Sequence, residues 1–178
     1  IRNQYVVQVY AFGIHGSSCF FAMEYVSGRA LKQILTEHRQ HGDTIPVLRT
    51  LTILAQIAQG IDAVHAAGIV HRDVKPHNVL LEGDRAYLTD FGLAKALGDS
   101  GVLSGTSVVG TVEYMSPEQW RGEQVGPPAD VYSLGCVLYE SLTGIVPFAR
   151  RAGDAEPEMP AGLDAVIERS VAKDPGER

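Results

Sequence analysis

The chain has 178 residues, a length that fits one domain or one large lobe with a fragment of another. Hydrophobic residues make up 45% of it and charged residues 20%, which is ordinary for a globular protein and excludes a disordered chain. The formal net charge of -6 gives no general basic field for nucleic acid, and no run of letters approaches the ~18 apolar residues of a membrane span. We therefore expect no nucleic-acid partner and no membrane contact from this segment.

The two cysteines, Cys19 and Cys136, each lie in an apolar segment. This placement predicts buried thiols in a reducing compartment rather than a disulfide framework, and hence a cytoplasmic location. The chain begins inside what reads as a strand, with no turn before it, which suggests a piece of a longer protein. Whether that parent protein carries a membrane anchor stays open.

The first predicted elements are strands. Residues 5–12 and 18–26 are rich in β-branched and aromatic residues and are separated by the turn letters GIHGS, which predicts an antiparallel pair. Two amphipathic helices follow, over RALKQILTEHRQ and over LTILAQIAQGIDAVHAAG, each ending at a glycine. Short strands are then predicted at Ile69-Val70, at Val79 to Leu81 and at Ala86 to Thr89.

The second half reads as mainly helical. Residues 93–112 are rich in Gly, Ser and Thr and have no sustained period, which predicts a long surface loop. Ser116, followed by Pro and then Gln119, has the form of a capping box at the start of a helix. Asp130 is the expected N-cap of the next helix, DVYSLGCVLYESLTG, whose apolar residues on most sides predict a buried helix. A final amphipathic helix is predicted over LDAVIERSVAK.

The stretch HRDVKPHN concentrates polar side chains on one loop. Asp73 can orient and receive a hydroxyl proton, and Lys75, two residues on, can neutralise phosphate oxygens. The amide oxygen of Asn78 can ligate a hard cation such as Mg²⁺, and the β pair that follows could bring Asp90 back beside it. Two protein oxygens are sufficient for a magnesium ion bound to a nucleotide. The pattern indicates phosphoryl transfer.

Six motifs in order resemble the signature set of eukaryotic-like protein kinases: HRDVKPHNVLL, DFGLAK, GTVEYMSPEQ, DVYSLGCVLYE, TGIVPF and KDPGER. The lysine in HRDVKPHNVLL resembles the pattern of the serine/threonine subclass, and YMSPEQ resembles the pattern of the bacterial branch. The resemblance implies an α+β, protein-kinase-like fold with a mainly helical C-terminal lobe and a remnant of the β-rich N-terminal lobe. Residues 1–26 would be the last small-lobe strands and hinge, and residues 27–178 the large lobe, incomplete at both ends.

The resemblance also implies roles. The cofactors would be ATP and Mg²⁺, and the substrates would be protein Ser and Thr hydroxyls. Asp73 would be the catalytic base, Lys75 would stabilise the moving phosphoryl group, and Asn78 and Asp90 would hold the metal. By the same resemblance, Thr111 would contact the catalytic Asp and Lys, and Met23 would be the gatekeeper. The backbones of Glu24 and Val26 would form the hinge that binds the base, and Leu80 would pack under the adenine.

Structural and regulatory roles follow from the same resemblance. A hydrophobic spine would contain Val9, His71 and Phe91 and be anchored by Asp130. Glu118 and Arg178 would form a buried ion pair. Arg72 before the catalytic aspartate suggests control by activation-loop phosphorylation, because an arginine is a ready bidentate partner for phosphate. The candidate phosphosites include Ser104, Thr106 and Ser107, with Thr106 preferred, and a kinase dimer for trans-phosphorylation is an expected partner.

The chain also departs from the family pattern. No glycine-rich strand loop is found, and none of the four lysines, at 32, 75, 95 and 173, can be the strand lysine that binds phosphates. Its lack would cost about 10² to 10³ in rate, so we predict that this chain alone is nearly inactive. The segment between Phe148 and Leu163 is short, which puts a substrate-docking helix in doubt. The main alternative is a truncated or pseudokinase-like binding module, and a small-molecule phosphotransferase is a weaker one.

Overall fold

A computed structural model describes residues 1–15, 18–90, 112–148 and 159–178 of the chain. Five of the predicted site residues lie outside the described residues: Phe91, Ser104, Thr106, Ser107 and Thr111. Most of the segment between Phe148 and Leu163 lies outside them as well.

The first strands form a hairpin. Strand β1 (Val9–His15) pairs antiparallel with β2 (Ser18–Met23), as predicted, with Val9 opposite Met23. The prediction placed the first strand too early and put Gly13 in a turn, whereas Gly13 lies within β1. The chain before β1 pairs with a different strand: Val7 N donates to Leu88 O at 2.9 Å, and Leu88 N donates to Tyr5 O at 2.8 Å. The hairpin strand therefore begins only at Val9.

A second sheet follows the loop that carries Asp73. Its strands are β3 (Arg29–Ala30), β4 (Val79–Glu82) and β5 (Arg85–Leu88), antiparallel in the order β3-β4-β5. A 3₁₀ turn, Pro76–Asn78, leads into β4. The predicted strand Ile69-Val70 is wrong: neither residue is in a strand, and Ile69 N instead donates to Val64 O at 3.2 Å, closing the preceding helix.

Five α-helices are present in the described residues. They are α1 (Leu31–His41), α2 (Val47–Ala66), α3 (Pro117–Trp120), α4 (Pro127–Thr143) and α5 (Asp164–Ser170). Two further 3₁₀ turns lie at Val112–Tyr114 and Pro175–Glu177. Helix α1 ends at Gly42 (φ 74°) and α4 ends at Gly144 (φ 75°), where the left-handed backbone favours glycine.

The core is formed between α2, α4 and the β4-β5 hairpin. Helix α2 packs against both of them, and its buried side chains include Ile53, Ile57 and Val64. By length and composition alone α2 is apolar enough to cross a membrane, a test that core helices of soluble proteins also pass. Since its apolar stripe lies in the core cluster, the fold accounts for that composition.

The start of α4 differs from the prediction. The helix begins at Pro127 with Gly126 as N-cap, so Asp130 is not the N-cap but a residue of the first turn. Proline at the first helical position favours this earlier start, because it lacks the N–H that would otherwise be unpaired. Asp130 is fully buried. Because it does not cap the helix, its carboxylate can bind a different part of the chain.

Candidate active site

The loop that carries Asp73 is fixed to α4 through one buried carboxylate. Asp130 Oδ2 accepts His71 N and Asp130 Oδ1 accepts Arg72 N, both at 2.8 Å. The ring Nε2 of His65, on α2, lies 2.7 Å from Asp130 Oδ2. These contacts supply the backbone partners that a strand would otherwise give to residues 71 and 72. They hold the loop at one position relative to two core helices.

The ring of His71 is fully buried and connects this loop with the end of β5. Its Nε2 lies 3.0 Å from Thr89 O, and its Nδ1 accepts Asp73 N at 3.3 Å. Because Nδ1 is an acceptor here, the bonds require a neutral ring whose proton is on Nε2. Burial lowers the pKa of His71, against the opposing effect of nearby carboxylates that include Asp73 and Asp90.

Three polar side chains converge at the tip of the loop. Lys75 Nζ lies 2.8 Å from Asp73 Oδ2, and Asn78 Nδ2 donates to Asp73 Oδ2 at 3.0 Å and to Asp73 O at 2.8 Å. Within the described parts of the chain, Asp73 Oδ1 accepts no hydrogen bond. One carboxylate oxygen is thus held by two side chains, and the other has no donor among the described residues, an arrangement suited to accepting a hydroxyl proton.

The sheet register brings Asn78 and Asp90 to the same end of the β4-β5 hairpin. Val79 is opposite Leu88, and Thr89 N donates to Asn78 O at 3.0 Å, so Asp90 follows directly. Asn78 is buried, and its Oδ1 has no donor among the described residues. A buried carbonyl oxygen without a donor fits a cation ligand. Asp90 is exposed, with a left-handed backbone (φ 56°).

These two oxygens fit Mg²⁺ only as part of a larger set. Within the described segments no three His, Cys, Asp or Glu side chains are grouped closely enough to hold a metal ion. Mg²⁺ is commonly held by one or two protein oxygens plus waters and substrate phosphates. The residues present therefore suit a metal ion that arrives with a phosphorylated ligand, with Asn78 and Asp90 as its protein ligands.

The predicted nucleotide-contact residues lie at the end of β2, in the segment just after it, and on β4. Glu24 N donates to Gln8 O at 2.8 Å, so this backbone N–H is already paired within the chain. Met23 is 46% exposed, and its sulfur lies 3.9 Å from Thr89 Oγ1. Val26 and Leu80 are half-buried, with Leu80 paired between Ala30 and Tyr87.

One spine assignment needs correction. Val9 is 41% exposed on β1, so it is not part of a buried spine with His71 in this structure. The cause is that the described residues place a two-stranded sheet here, with no third layer over this face. The other assigned spine residue that is described, His71, is fully buried, and its anchor Asp130 is as well.

The last residue of the chain is buried against α3 and α4. Arg178 Nη1 and Nη2 donate to Glu118 Oε1 and Oε2 at 2.6 and 2.9 Å, and the guanidinium carbon lies 5.0 Å from the Tyr132 ring centre. Burial acts to raise the pKa of Glu118, but the hydrogen bonds and charge of Arg178 outweigh it and hold that pKa below its ordinary value. The two residues form a bidentate, buried ion pair.

Arg72 occupies the position suggested for regulation. Its backbone is left-handed (φ 65°) and its side chain is exposed, without a hydrogen-bond or ion-pair partner in the described residues. Gln119 Nε2 donates to Arg72 O at 2.9 Å, and Gln119 Oε1 accepts Ser116 N at 3.1 Å. Gln119, which belongs to the capping box of α3, thus also binds the backbone carbonyl of Arg72.

Sequence reasoning missed a buried charge cluster next to this loop. Glu140, fully buried in α4, contacts Lys32 and Arg39 of α1 and the hydroxyl of Tyr114. The signal was available, because a glutamate within the apolar run CVLYESL must find partners when the helix is buried. The contact of His65 with Asp130 was missed too, and Gln119 was predicted only as part of the capping box, not as a donor to Arg72 O.

The fold and the site together define a phosphoryl-transfer class: a helical body with a carboxylate, an ammonium and an amide on one anchored loop, and a second carboxylate at the adjacent hairpin. The comparisons agree with this. The protein kinase domain family matches residues 1–170, so the chain belongs to the protein kinase family. It is a member of the bacterial, eukaryotic-like serine/threonine branch, as the relatives described next indicate.

The chain is 38% identical over 196 residues to the serine/threonine-protein kinase PknD of Mycobacterium tuberculosis, covering 100% of this chain and 29% of the relative. It is 40% identical over 206 residues to PknB of Mycolicibacterium smegmatis, covering 100% of this chain and 32% of the relative. The crystal structure of the M. tuberculosis PknI kinase domain matches with a TM-score of 0.77 and 27% identity, over 100% of this chain and 67% of that one. The chain thus spans about a third of the length of these curated relatives.

Proposed function

We propose that this chain carries the catalytic loop and metal site of an enzyme that transfers the γ-phosphate of ATP to protein Ser and Thr hydroxyls, with Mg²⁺. The observation that carries the proposal is the arrangement at Asp73, where Lys75 and Asn78 hold Oδ2 and Oδ1 has no donor among the described residues. A carboxylate oriented in this way is suited to position an acceptor hydroxyl.

The remaining roles divide between the nucleotide and the transferred group. Mg²⁺, when bound with ATP, would offset the negative charge that builds up on the phosphates, and Asn78 and Asp90 would be its protein ligands. Lys75 is 2.8 Å from the catalytic carboxylate and would stabilise the moving phosphoryl group from the same side. Glu24 and Val26 would bind the base through backbone groups. Residues 1–26 would serve as small-lobe strands and hinge and residues 27–178 as the large lobe.

A second function is favoured by one observation. Lys32 lies in helix α1 beside Glu140, Lys75 lies in the catalytic loop and Lys173 follows α5, so no lysine of the described residues lies on a strand to bind the α- and β-phosphates. A module that binds partners without chemistry is the alternative. In either case the expected location is cytoplasmic.

The test has two readouts. Thermal shift with ATP, with and without Mg²⁺, measures nucleotide binding, and single-turnover transfer of labelled γ-phosphate to a mixed Ser/Thr protein substrate measures chemistry. Asp73→Asn should lower the transfer rate about 10²-fold or more while leaving the thermal shift in place, because that residue acts on the acceptor. Asp90→Asn should remove the Mg²⁺ dependence of the shift.

The matched control is Asp84→Asn, an exposed aspartate in the β4-β5 turn, which should change neither readout. We expect transfer by this chain alone to be slow but above that of Asp73→Asn. Transfer equal in the two proteins, with nucleotide binding intact, would favour the binding module. Loss of Mg²⁺ dependence in Asp84→Asn but not in Asp90→Asn would contradict the metal assignment.

The proposed regulation has its own test. Arg72 has an exposed side chain suited to a phosphate on the segment 93–112, with Thr106 the preferred site and Ser104 the next, and trans-phosphorylation would require a dimer of kinase domains. Mass spectrometry of active protein should find phosphate on Thr106. Active protein without phosphate anywhere in that segment would contradict the proposal.

A further inference from the structure

The peptide group that joins Arg72 to Asp73 is held at both ends by side chains. Its carbonyl, Arg72 O, accepts Gln119 Nε2 at 2.9 Å, and its N–H, on Asp73, donates to His71 Nδ1 at 3.3 Å. The peptide group before it is held as well, because Arg72 N donates to Asp130 Oδ1 at 2.8 Å. The backbone that leads into the Asp73 side chain is therefore fixed over two consecutive peptide groups.

Arg72 has a backbone conformation that depends on these contacts. Its φ of 65° is left-handed, and a residue other than glycine keeps such a conformation only where its surroundings impose it. Asp130 on α4 and Gln119 on α3 bind the N–H and the C=O of this one residue. Loss of the Gln119 contact would allow the peptide group between residues 72 and 73 to rotate, and Asp73 would move with it.

Gln119 is itself held in place by the start of its own helix. Its Oε1 accepts Ser116 N and Ser116 Oγ, each at 3.1 Å, in the capping box of α3. The chain just before α3 is bound to α4, because Ser133 Oγ donates to Tyr114 O at 2.7 Å. Asp130 and Ser133 are both on α4, so the contacts form a closed ring from α4 through the loop and α3 back to α4. This ring holds the amide of Gln119 in one orientation.

An amide side chain satisfies both neighbours of Gln119 at once. One end must accept from Ser116 and the other must donate to Arg72 O, which the oxygen and the NH₂ group of glutamine do. Glutamate also serves at this position of a capping box, but its second oxygen cannot donate to a carbonyl. The substitution Gln119→Glu therefore keeps the cap and removes the contact with the loop.

We propose that Gln119 is a positioning residue for phosphoryl transfer, which sets the orientation of Asp73 through the peptide group between residues 72 and 73. This inference rests on the proposed function, because it takes Asp73 as the group that binds the acceptor hydroxyl. Gln119 and Asp73 line the same small cavity, together with Met115, so the two residues lie close to each other. Because Gln119 acts through Arg72 O, its loss should lower the rate of transfer and leave nucleotide binding in place.

The experiment uses the full chain and three readouts. Single-turnover transfer of labelled γ-phosphate to a mixed Ser/Thr protein substrate gives the rate, and thermal shift with Mg²⁺ and ATP gives nucleotide binding. Amide hydrogen exchange followed by NMR gives the protection of the Asp73 N–H. We expect Gln119→Glu and Gln119→Met to lower the rate about 10- to 100-fold, because a small misplacement of a reacting group has an effect of that size. Both variants should keep the thermal shift and speed exchange of the Asp73 N–H about tenfold.

A first control separates positioning from stability. Ser116→Ala weakens the cap of α3 but keeps the bond from Gln119 to Arg72 O. It should lower the melting temperature, as loss of a capping hydroxyl does, and leave the transfer rate near that of the parent. The rate should therefore follow the contact with Arg72 and not the stability of the chain.

A second control repeats the chemical change at another place. Gln56 also bridges two backbone groups, since its Oε1 accepts Ala86 N at 2.7 Å and its Nε2 donates to Asp84 O at 3.0 Å. Gln56→Glu makes the same amide-to-carboxylate change at the turn of the β4-β5 hairpin, the end away from Asn78. It should change neither the transfer rate nor the exchange of the Asp73 N–H.

The readouts separate this inference from the proposed function. A rate for Gln119→Glu equal to that of the parent, or an equal loss of rate in Gln56→Glu or Ser116→Ala, would overturn the positioning role and leave the kinase function standing. Unchanged exchange of the Asp73 N–H in Gln119→Glu would overturn it as well. Absence of phosphotransfer by the parent, with faster exchange in the Gln119 variants but not in the controls, would support the hold of Gln119 on the loop and count against the kinase function.

Discussion

Asp130 and Arg72 are 58 residues apart in the chain, and the backbone N–H of Arg72 donates to Asp130 Oδ1 at 2.8 Å. The other carboxylate oxygen accepts the backbone N–H of His71, also at 2.8 Å. One buried side chain of α4 therefore fixes two consecutive peptide groups of the loop that carries Asp73. Each carboxylate oxygen accepts one backbone N–H, so both donors are satisfied at once in a buried site.

We expect Asp130→Asn to destabilise the chain by about 3 kcal/mol, because the new amide group presents N–H atoms to a backbone donor and leaves it unpaired. Urea denaturation measures this change. Asp62→Asn, an exposed aspartate on α2, is the control and should stay within about 0.5 kcal/mol of the parent. Equal stabilities for the two variants would mean that the Asp130 contacts contribute little.

The buried pair of Glu118 and Arg178 should dominate the stability of the C-terminal end. Arg178→Ala leaves Glu118 buried without its bidentate partner, which we expect to cost about 3 to 5 kcal/mol. Arg178→Lys should recover only part of the loss, because an ammonium cannot make both bonds in one plane. Arg121→Ala is the control, since its pair with Glu123 is exposed and 3.7 Å long and should contribute about 0 to 1 kcal/mol.

The same pair predicts a dependence on pH. The pKa of Glu118 is below its ordinary value in the folded chain, so the folded state binds fewer protons than the unfolded state in mild acid. The contribution of this carboxylate is complete above about pH 5 and is lost as the pH falls through the lowered pKa. Replacing both residues, as Glu118→Gln with Arg178→Met, should flatten the stability curve between about pH 5 and 3. An unchanged slope would show that other carboxylates cause the acid transition.

Sequence patterns predicted most of the elements around the site. The apolar stripes of α1 and α2 follow from their spacing, although α2 begins at Val47 rather than at the predicted Leu51, and the β4-β5 hairpin was predicted where it occurs. The expected α+β, kinase-like fold is confirmed by the family match to residues 1–170. The contacts among Asp73, Lys75 and Asn78 could be expected because these residues are close together in sequence.

Long-range side-chain contacts could not be predicted in the same way. Asp130 was interpreted as a helix cap because aspartate is common there, whereas its carboxylate binds the backbone of a loop far away in the sequence. Local pattern cannot reveal which of two uses a buried aspartate has. For the same reason the cluster around Glu140 was missed, because its partners come from α1 and from the turn at Tyr114. The exposure of Val9 depends on which layers cover the hairpin, and spacing carries no information about that.

Asp90 has a left-handed backbone and is also a proposed metal ligand. Substitutions can separate the effects of these two features. Its φ of 56° is in the left-handed region, which asparagine and glycine adopt more readily than alanine. In the absence of ligand, Asp90→Asn and Asp90→Gly should match the parent in urea denaturation, and Asp90→Ala should be about 1 kcal/mol less stable. All three should lose the Mg²⁺-dependent part of the thermal shift with ATP, because each lacks the carboxylate. A Mg²⁺ dependence that followed the stability order of the variants would mean that the backbone conformation, and not the carboxylate, controls metal binding.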